Sequence, residues 1–532
     1  MSRKTYLFQK RILLQFPLNL ELIKTIRSME GAEFRSKVQN GSKIKKNVWL
    51  VDCLDRNVKQ LKELKFEISE MVKESSITKE IKLVPINNVE GLNATLYSYQ
   101  AEALGFIKAT KGKSLLAMSP GTGKTLTSLA YIKLIKKQAP KTLIIVLSSV
   151  KIMWEKETKK WIGEDSQVLY SKKPYAIDEN IVIINFDIVD AWKKELKAYK
   201  FDNVIIDEIH CLANPKSKRT KAVKSICSKA TTVLGLTGTP IKSRPAQLFS
   251  PLQIINGDIF QNQRSFERRY CKGYQSQFGW NASGSSNSKE LHDILKENVM
   301  YRIRKQDVFD DVPKINKTRI PVDINRKEYD RIKNDFENWL KANGKATIAN
   351  VLTQISPLRQ EAVMAKLKAT EEWIEEFLKS GEKLVVFCVH KKIVQALMKK
   401  FGKVATKIDG SLSAQKKEDN KNKFVNDVDT KLMIGNIQSL STGVDGMQHA
   451  CNNMLFVENT YLPSDKEQSI CRLDRIGQKY SVNCYDIISV DTIDGHILDI
   501  IEKKQKIIDS VVEGNEVKQN SDVVGDLLKM FK

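Results

Sequence analysis

The stretch SLLAMSPGTGKTLTS, residues 114–128, decides the fold. Its apolar start reads as a buried strand, Pro120, Gly121 and Gly123 turn the chain, and an amphipathic helix follows. Two glycines in such a turn let successive backbone N–H groups point inward at an anion, and the new helix N-terminus adds positive potential. Lys124 can then reach the β- and γ-phosphates of a nucleotide, and Thr125 can offer its hydroxyl to Mg²⁺. Pro120, Gly121, Thr122, Gly123, Lys124 and Thr125 are therefore candidate binding residues. Met118 stands where the strict GxxxxGK[ST] pattern has its first glycine, so an ordinary strand-to-helix turn is the competing reading. Partner motifs downstream decide between the two.

Strand and helix alternate over residues 94–256, the order of a doubly wound parallel sheet. The strands are TLIIVL (142–147), IVIINF (181–186), NVIIDE (203–208) and TTVLGLTG (231–238). Ligands of such sheets sit at the carboxyl ends of the strands. There DEIH (207–210) places Asp207 to hold Mg²⁺ with Thr125, and Glu208 to orient and deprotonate an attacking water. His210 can relay nucleotide state to the next motif, TGTP (237–240). Thr237 and Thr239 are short enough to hydrogen-bond across to the DEIH loop, although a plain turn at Gly238 and Pro240 would also explain them.

A strand over 318–323 and helical sequence over 326–380 follow, with Trp339, Trp373 and Phe377 read as core. A second alternating set then runs through KLVVFCVH (383–390), KVATKID (403–409), KLMIGN (431–436), NMLFVEN (453–459) and SVNCYDII (481–488). In QSICRLDRIGQ (468–478), Gln468 and Arg472 lie four apart on one predicted helix face, with Arg475 three further. Arginines so placed can stabilise charge on a transferring γ-phosphate.

With these motifs in order, the chain resembles superfamily 2 helicases, specifically the Swi/Snf-type DNA translocases. That group carries a non-glycine where Met118 stands. The resemblance implies two tandem RecA-like doubly wound parallel-sheet lobes with helical insertions, and ATP bound at the cleft between them. It makes Gln100 of LYSYQ (96–100) the adenine reader, with Tyr97 and Ser98 in place of the usual Arg-Pro. It assigns Ser148 and Ser149 of LSSVKIMWEKETKKW, and Gly410 and Ser411 after Asp409, to the DNA backbone. Asp445, in the altered run SLSTGVDGMQ (439–448), would meet the ribose or couple the DNA and ATP sites. RIGQ resembles motif VI and gives Gln468, Arg472 and Arg475 catalytic roles, with Asp474 where the family has His. The basic run Lys216, Lys218, Arg219 and Lys221 reads equally as phosphate contacts or as a solvated helix start.

Residues 1–85 form a small α+β module. Leu20, Ile23, Ile26 and Met29 mark one helix, NVWLVD (47–52) a strand, and Leu54, Val58, Leu61 and Leu64 a second helix. Between them FRSKVQNGSKIKKN (34–47) reads as a basic loop, with Phe34 and Trp49 either core or a stacking surface for nucleic acid. FPLNLELIKTIRSMEGAEFRS (16–36), VWLV (48–51) and LKFEIS (64–69) resemble the HARP domain of annealing helicases. Trp280, Gly284, Asn287 and Glu290-Leu291-His292, ahead of VMYRIRKQDVFDDVPK (299–314), resemble the same branch. The expected division is module 1–85, first lobe 88–256, insertion 257–315, helical segment 316–380, second lobe 381–500 and helical tail 501–532.

Net charge agrees with a polyanionic partner: +25 over 532 residues, with pI near 9.4. Eight cysteines without a CxxC pair fit neither a disulfide framework nor a zinc site. No apolar run spans a bilayer and the N-terminus lacks signal-peptide architecture, so the expectation is the cytoplasm of a bacterial or virus-infected cell. The expected activity is a DNA-dependent ATPase, a monomeric motor working beside replication or repair proteins, that moves on DNA and remodels or anneals branched substrates. A strand-separating helicase and a nucleic-acid-binding nucleotide switch are the alternatives.

Overall fold

Phe34, Val38, Ile44, Val48, Trp49 and Val51 bring β-branched and aromatic residues, which favour strands, to residues 33–52. The computed structural model accordingly pairs β3 (Glu33–Asn40) with β4 (Lys43–Asp52) antiparallel, Asn40 opposite Lys43. The expected basic loop is thus a basic hairpin. The structure describes residues 3–8, 11–16, 19–29, 32–40, 43–52, 55–69, 83–135, 140–276, 279–309, 313–343, 348–441, 445–475 and 477–514. Two further strands, β1 (Lys4–Phe8) and β2 (Arg11–Gln15), complete the sheet in the order β1-β2-β4-β3. Neither was anticipated from the sequence, since each is only five residues long. The helices Leu20–Arg27 and Asp55–Glu63 lend Leu22, Ile26, Val58 and Leu61 to a core shared with Ile12, Leu14 and Trp49. Trp49 is 8% exposed and its cross-strand neighbour Phe34 52%, so one aromatic is core and the other faces solvent.

The chain divides into two units, one reaching to Arg304 and rejoined at Ile508, the other running Lys305–Ile507. The larger sheet of the first unit is parallel throughout. Its strands are β5 (Lys113–Met118), β6 (Thr142–Val146), β7 (Gln167–Val168), β8 (Ile181–Asn185), β9 (Asn203–Asp207) and β10 (Thr232–Thr237). After a small hairpin of β11 (Tyr274–Ser276) and β12 (Gly279–Asn281), β13 (Met300–Ile303) joins the large sheet beside β5. The order is β13-β5-β10-β9-β6-β8-β7. Residues 300–303, expected within an insertion, therefore close the edge of the first lobe. β6, β8 and β9 are nearly continuous apolar runs because helices cover both faces of such a sheet. Ile508, Val511 and Val512 return to the same core, which the expected tail boundary at 501 did not foresee.

The second unit has its own parallel sheet. β14 (Ile315–Val322), β15 (Leu384–Cys388), β16 (Ala405–Ile408), β17 (Leu432–Asn436), β18 (Asn453–Phe456) and β19 (Val482–Ser489) take the order β14-β19-β18-β15-β17-β16. β14 pairs with β19 over eight residues, so the segment read as leading into the second lobe is its edge strand. Trp339 packs with Phe336, and Trp373 with Phe377 and Tyr485, as partly buried core residues. Lys366 is fully buried, donating to Ile487 O at 2.6 Å and pairing with Asp494. Among the described residues no helix is long and apolar enough to cross a membrane.

Candidate functional site

Three adjacent parallel strands, β5, β10 and β9, end side by side, and each ending carries a motif. In register Leu236 lies opposite Asp207 and Thr237 opposite Ala117, so the TGTP turn stands between the glycine loop and the DEIH loop. A Cβ on Gly238 would come 3.0 Å from Pro120 Cδ, which shows how closely the two loops approach.

After β5 the chain turns through Gly121 (φ 84°) and Gly123 (φ 81°) before the helix Lys124–Leu134. Both angles are in the left-handed region, where glycine has no steric penalty. Lys124 Nζ donates to the carbonyls of Met118 at 2.9 Å and Ser119 at 3.3 Å, lying over the loop it belongs to. Thr122 is buried and donates to Ser119 O at 2.8 Å. Thr125 stands in the first turn of the helix, as the sequence places it. Gln100, buried in the helix Ser98–Ala109, donates Nε2–H to Thr122 O at 3.2 Å and accepts from Tyr97 N–H at 3.0 Å. Its amide thus braces the loop from behind. A Cβ on Gly123 would meet that Nε2 at 2.3 Å. Gly123→Ala is expected to lose about 1–2 kcal/mol for a left-handed alanine alone, and more for displacing Gln100. Urea denaturation measures this, and a variant as stable as the parent would mean that the turn has another conformation.

Asp207 ends β9 half-buried, its Oδ2 accepting from Trp154 Nε1–H at 3.0 Å and its Oδ1 from Glu208 N–H at 3.0 Å. Burial first, and the neighbouring Glu208 second, push its carboxyl up to about 6, against the pull of Trp154 and Lys124. Glu208 holds φ 52°, a strained backbone for a residue with a Cβ. Its Oε2 accepts from Thr237 Oγ1–H at 3.2 Å and lies 3.1 Å from His210 Nδ1. His210 Nδ1 is 2.9 Å from Thr237 Oγ1, and Thr239 N–H donates to the same hydroxyl at 3.1 Å. Burial, helped by Lys242, holds His210 well below the usual histidine range, so the ring is neutral. A neutral ring with Nδ1–H donates to Thr237, freeing the threonine proton for Glu208. The structure thus brings together Glu208, His210, Thr237 and Thr239 in one hydrogen-bonded chain across two loops.

Arg302, at the end of β13, reaches the same place and was missed from sequence. Its Nη1 donates to Ala117 O at 3.1 Å and Gly238 O at 3.4 Å, while Nε donates to Glu513 Oε1 at 2.9 Å. Its role depends on β13 pairing with β5, for which four residues carry no local signal. Trp154, quoted from sequence only within LSSVKIMWEKETKKW, is a second such residue, since its partner Asp207 lies 53 positions along the chain. Ser148 and Ser149 are exposed in the short turn after β6. Lys216, Lys218, Arg219 and Lys221 are exposed around the start of the helix Lys218–Cys227.

In the second unit, the helix Pro463–Ile470 carries Gln468 but stops before the arginines. Arg472 and Arg475 lie instead in successive tight turns, their N–H groups bonded to Ser469 O and Leu473 O at 3.0 Å each. The expected single helix face is therefore corrected. Side chains pull this segment out of helix: Asp474 pairs with Lys305 at 2.6 Å, and Arg472 reaches Asp445 Oδ1 at 2.6 Å. Arg475 pairs with the same Asp445 oxygen. Burial alone would raise Asp445, but Arg475 and Arg472 outweigh it and hold the carboxyl below the usual range. Thr442, Gly443 and Val444 of the same motif lie outside the described residues. Gly410 and Ser411 are exposed after β16, and Ser411 turns its N–H toward Asp409 Oδ1 at 2.8 Å. Gln478 donates to Cys451 O at 2.9 Å and accepts from Lys479 and Tyr480 N–H, so the end of RIGQ is a structural brace.

A model of the SNF2-related domain matches residues 49–365, and one of the helicase conserved C-terminal domain matches residues 365–477. The chain is 28% identical over 459 residues to the SWI/SNF-related matrix-associated actin-dependent regulator of chromatin subfamily A-like protein 1 of Xenopus tropicalis, covering 82% of this chain and 47% of that one. It is 28% identical over 448 residues to the human DNA annealing helicase and endonuclease ZRANB3, covering 80% of this chain and 41% of that one. The chain therefore spans about half the length of these relatives or less. A solved Sulfolobus solfataricus SWI2/SNF2 ATPase core in complex with dsDNA aligns with TM-score 0.40 and 23% identity over 81% of this chain and 96% of that one. With the SNF2-related model alone covering more than half of its residues, the chain belongs to the SNF2-related domain family.

Proposed function

We propose that the protein is a DNA-stimulated ATPase that moves on DNA and remodels or anneals branched DNA. The observation that carries this reading is the convergence of Lys124, Asp207, Glu208 and Thr237 at the ends of three neighbouring parallel strands. A triphosphate on the glycine loop is met by backbone N–H groups and by Lys124, released from the Met118 and Ser119 carbonyls. Thr125 and Asp207 offer the hard oxygen donors that suit Mg²⁺, and they would hold it. When bound, that ion neutralises developing phosphate charge. Glu208 takes the proton of the attacking water, with Thr237 and His210 fixing its carboxylate. Arg472 and Arg475 leave Asp445 for the charge on the transferring phosphate, and Gln468 acts beside them. Gln100 and Asp445 serve nucleotide recognition and coupling. Ser148, Ser149, Gly410 and Ser411 bear on the DNA backbone, so that cycles of hydrolysis step the motor along its track. The similarity to a protein named as a DNA annealing helicase favours annealing as the outcome of that movement.

ATP turnover without DNA, and with single-stranded, duplex and forked DNA, tests the reading. DNA is expected to raise turnover, with forked DNA most effective. Absence of turnover under all conditions would leave a nucleotide switch in its place. Magnesium dependence gives a second check. Asp207 ionises only above about 6, so metal binding is complete at pH 7.5 and weakens as the pH falls through 6. The half-saturating Mg²⁺ concentration is expected to rise up to about tenfold per pH unit below that point. A flat dependence between pH 5 and 7.5 would remove Asp207 from the metal.

A further inference from the structure

The helix Ile493–Val512 ends within the first unit, where Ile508, Val511 and Val512 are buried in the core of its large sheet. The last carbonyls of a helix have no partner inside it. Here His292 Nδ1 lies 3.2 Å from Val511 O and donates to it. Gly514 follows with φ 80°, and a Cβ on it would come 2.8 Å from His292 Cδ2. Between these two fixed points stands Glu513, whose N–H donates to Asp509 O at 2.8 Å. Its Oε1 accepts from Arg302 Nε–H at 2.9 Å and lies 2.8 Å from Arg302 Nη2. The arginine and glutamate side chains are only 17% and 19% exposed, so water and salt screen this pair less than a surface pair.

A guanidinium is a flat, rigid fork, so holding one edge aims the other. Arg302 Nη1 is aimed at Ala117 O and Gly238 O. The second of these carbonyls belongs to the same peptide unit as the N–H of Thr239. That peptide is trans, so its oxygen and its N–H point opposite ways and turn together as one plane. The N–H end donates to Thr237 Oγ1 at 3.1 Å, and this hydroxyl donates to Glu208 Oε2 at 3.2 Å. Glu513 is thus joined to Glu208 through one guanidinium, one peptide plane and one hydroxyl. A swing of the plane takes the Thr239 N–H away from Thr237 and lets the hydroxyl turn from the carboxylate.

We propose that Glu513 is a positioning residue for ATP hydrolysis: through Arg302 and the Gly238–Thr239 peptide it holds the Thr237 hydroxyl on Glu208. This rests on Glu208 acting as the base, and it adds to that site a group from the far end of the chain.

The full chain is assayed for ATP turnover with saturating duplex DNA, in Glu513→Ala, Thr237→Val and the variant carrying both changes. Glu513→Ala is expected to lower kcat about 10- to 100-fold, the scale of a small misplacement at a reacting group. KM for ATP is expected to stay nearly unchanged, because Lys124 and the glycine loop remain. Arg302→Lys keeps a charge beside Glu513 but not the fork, and is expected to lose as much. The variant with both changes is expected to be no slower than Thr237→Val alone, since the two residues act in one line. Circular dichroism reports the folded fraction in each assay, and where Glu513→Ala unfolds, Arg302→Lys takes its place in the same comparison. Losses that multiply in the double variant overturn the proposal, as does parent-like kcat in the single variant or a rise in KM alone. A parent that hydrolyses no ATP with any DNA would overturn the ATPase reading itself, and this assignment with it.

Discussion

Glu208→Gln is expected to lower ATP turnover by about 10²–10⁴-fold, the range lost when a positioned general base is removed. The change is close to isosteric. Thr237 can still donate to the side-chain oxygen, and the φ of 52° at this residue is unaltered in its demands. Nucleotide binding should therefore survive, because Lys124 and the glycine loop are untouched. The residue is held by a neutral His210 through Thr237, so what is lost is the proton acceptor and not the scaffold. Turnover at saturating ATP, alongside binding of a labelled nucleotide, separates the two effects. Parent-like turnover would show that Glu208 is not the base; loss of binding would make it a structural residue.

Arg475→Ala carries the other large effect, an expected fall of about 10³-fold or more, as when an arginine acting on phosphoryl charge is removed. The loss should appear equally in kcat and kcat/KM, since such a contact is made in the transition state. Arg472→Ala should behave alike, and the double variant should fall well short of the product of the two. Both guanidiniums share one Asp445 oxygen in this structure, so removing one changes the hold on the other. Arg475→Lys is not expected to rescue, because a lysine cannot supply the forked donors. If Arg475→Ala raised KM alone, the arginine would be a ground-state binding residue and its assignment to transferring charge would fail.

Much of this was legible in the chain because local patterns encode local structure. The run SLLAM with Pro120, Gly121 and Gly123 dictates strand, turn and helix by apolar burial and by the freedom of glycine at positive φ. DEIH and TGTP announce themselves as strand ends in the same way, and so the loops of the first lobe were found at the right residues. Where patterns are short or mixed the sequence misleads: the basic stretch 34–47 reads as a loop although it pairs as a hairpin, and β1 and β2 carry too short a signal to find.

What sequence alone settled is the order of the long apolar strands and of the loops that follow them, since these depend on neighbours a few residues away. Tertiary structure decided which strands stand together: that β13 closes the first sheet and β14 the second, that Arg302 reaches Ala117 and Gly238, and that His210 meets Glu208 through Thr237. It also broke the helix before Arg472, because pairing with Asp445 and Lys305 outweighs local helical spacing. The physical reason is one of range. Periodicity and turn chemistry act within a few residues, whereas ion pairs, strand partners and buried hydrogen bonds join groups that lie far apart along the chain.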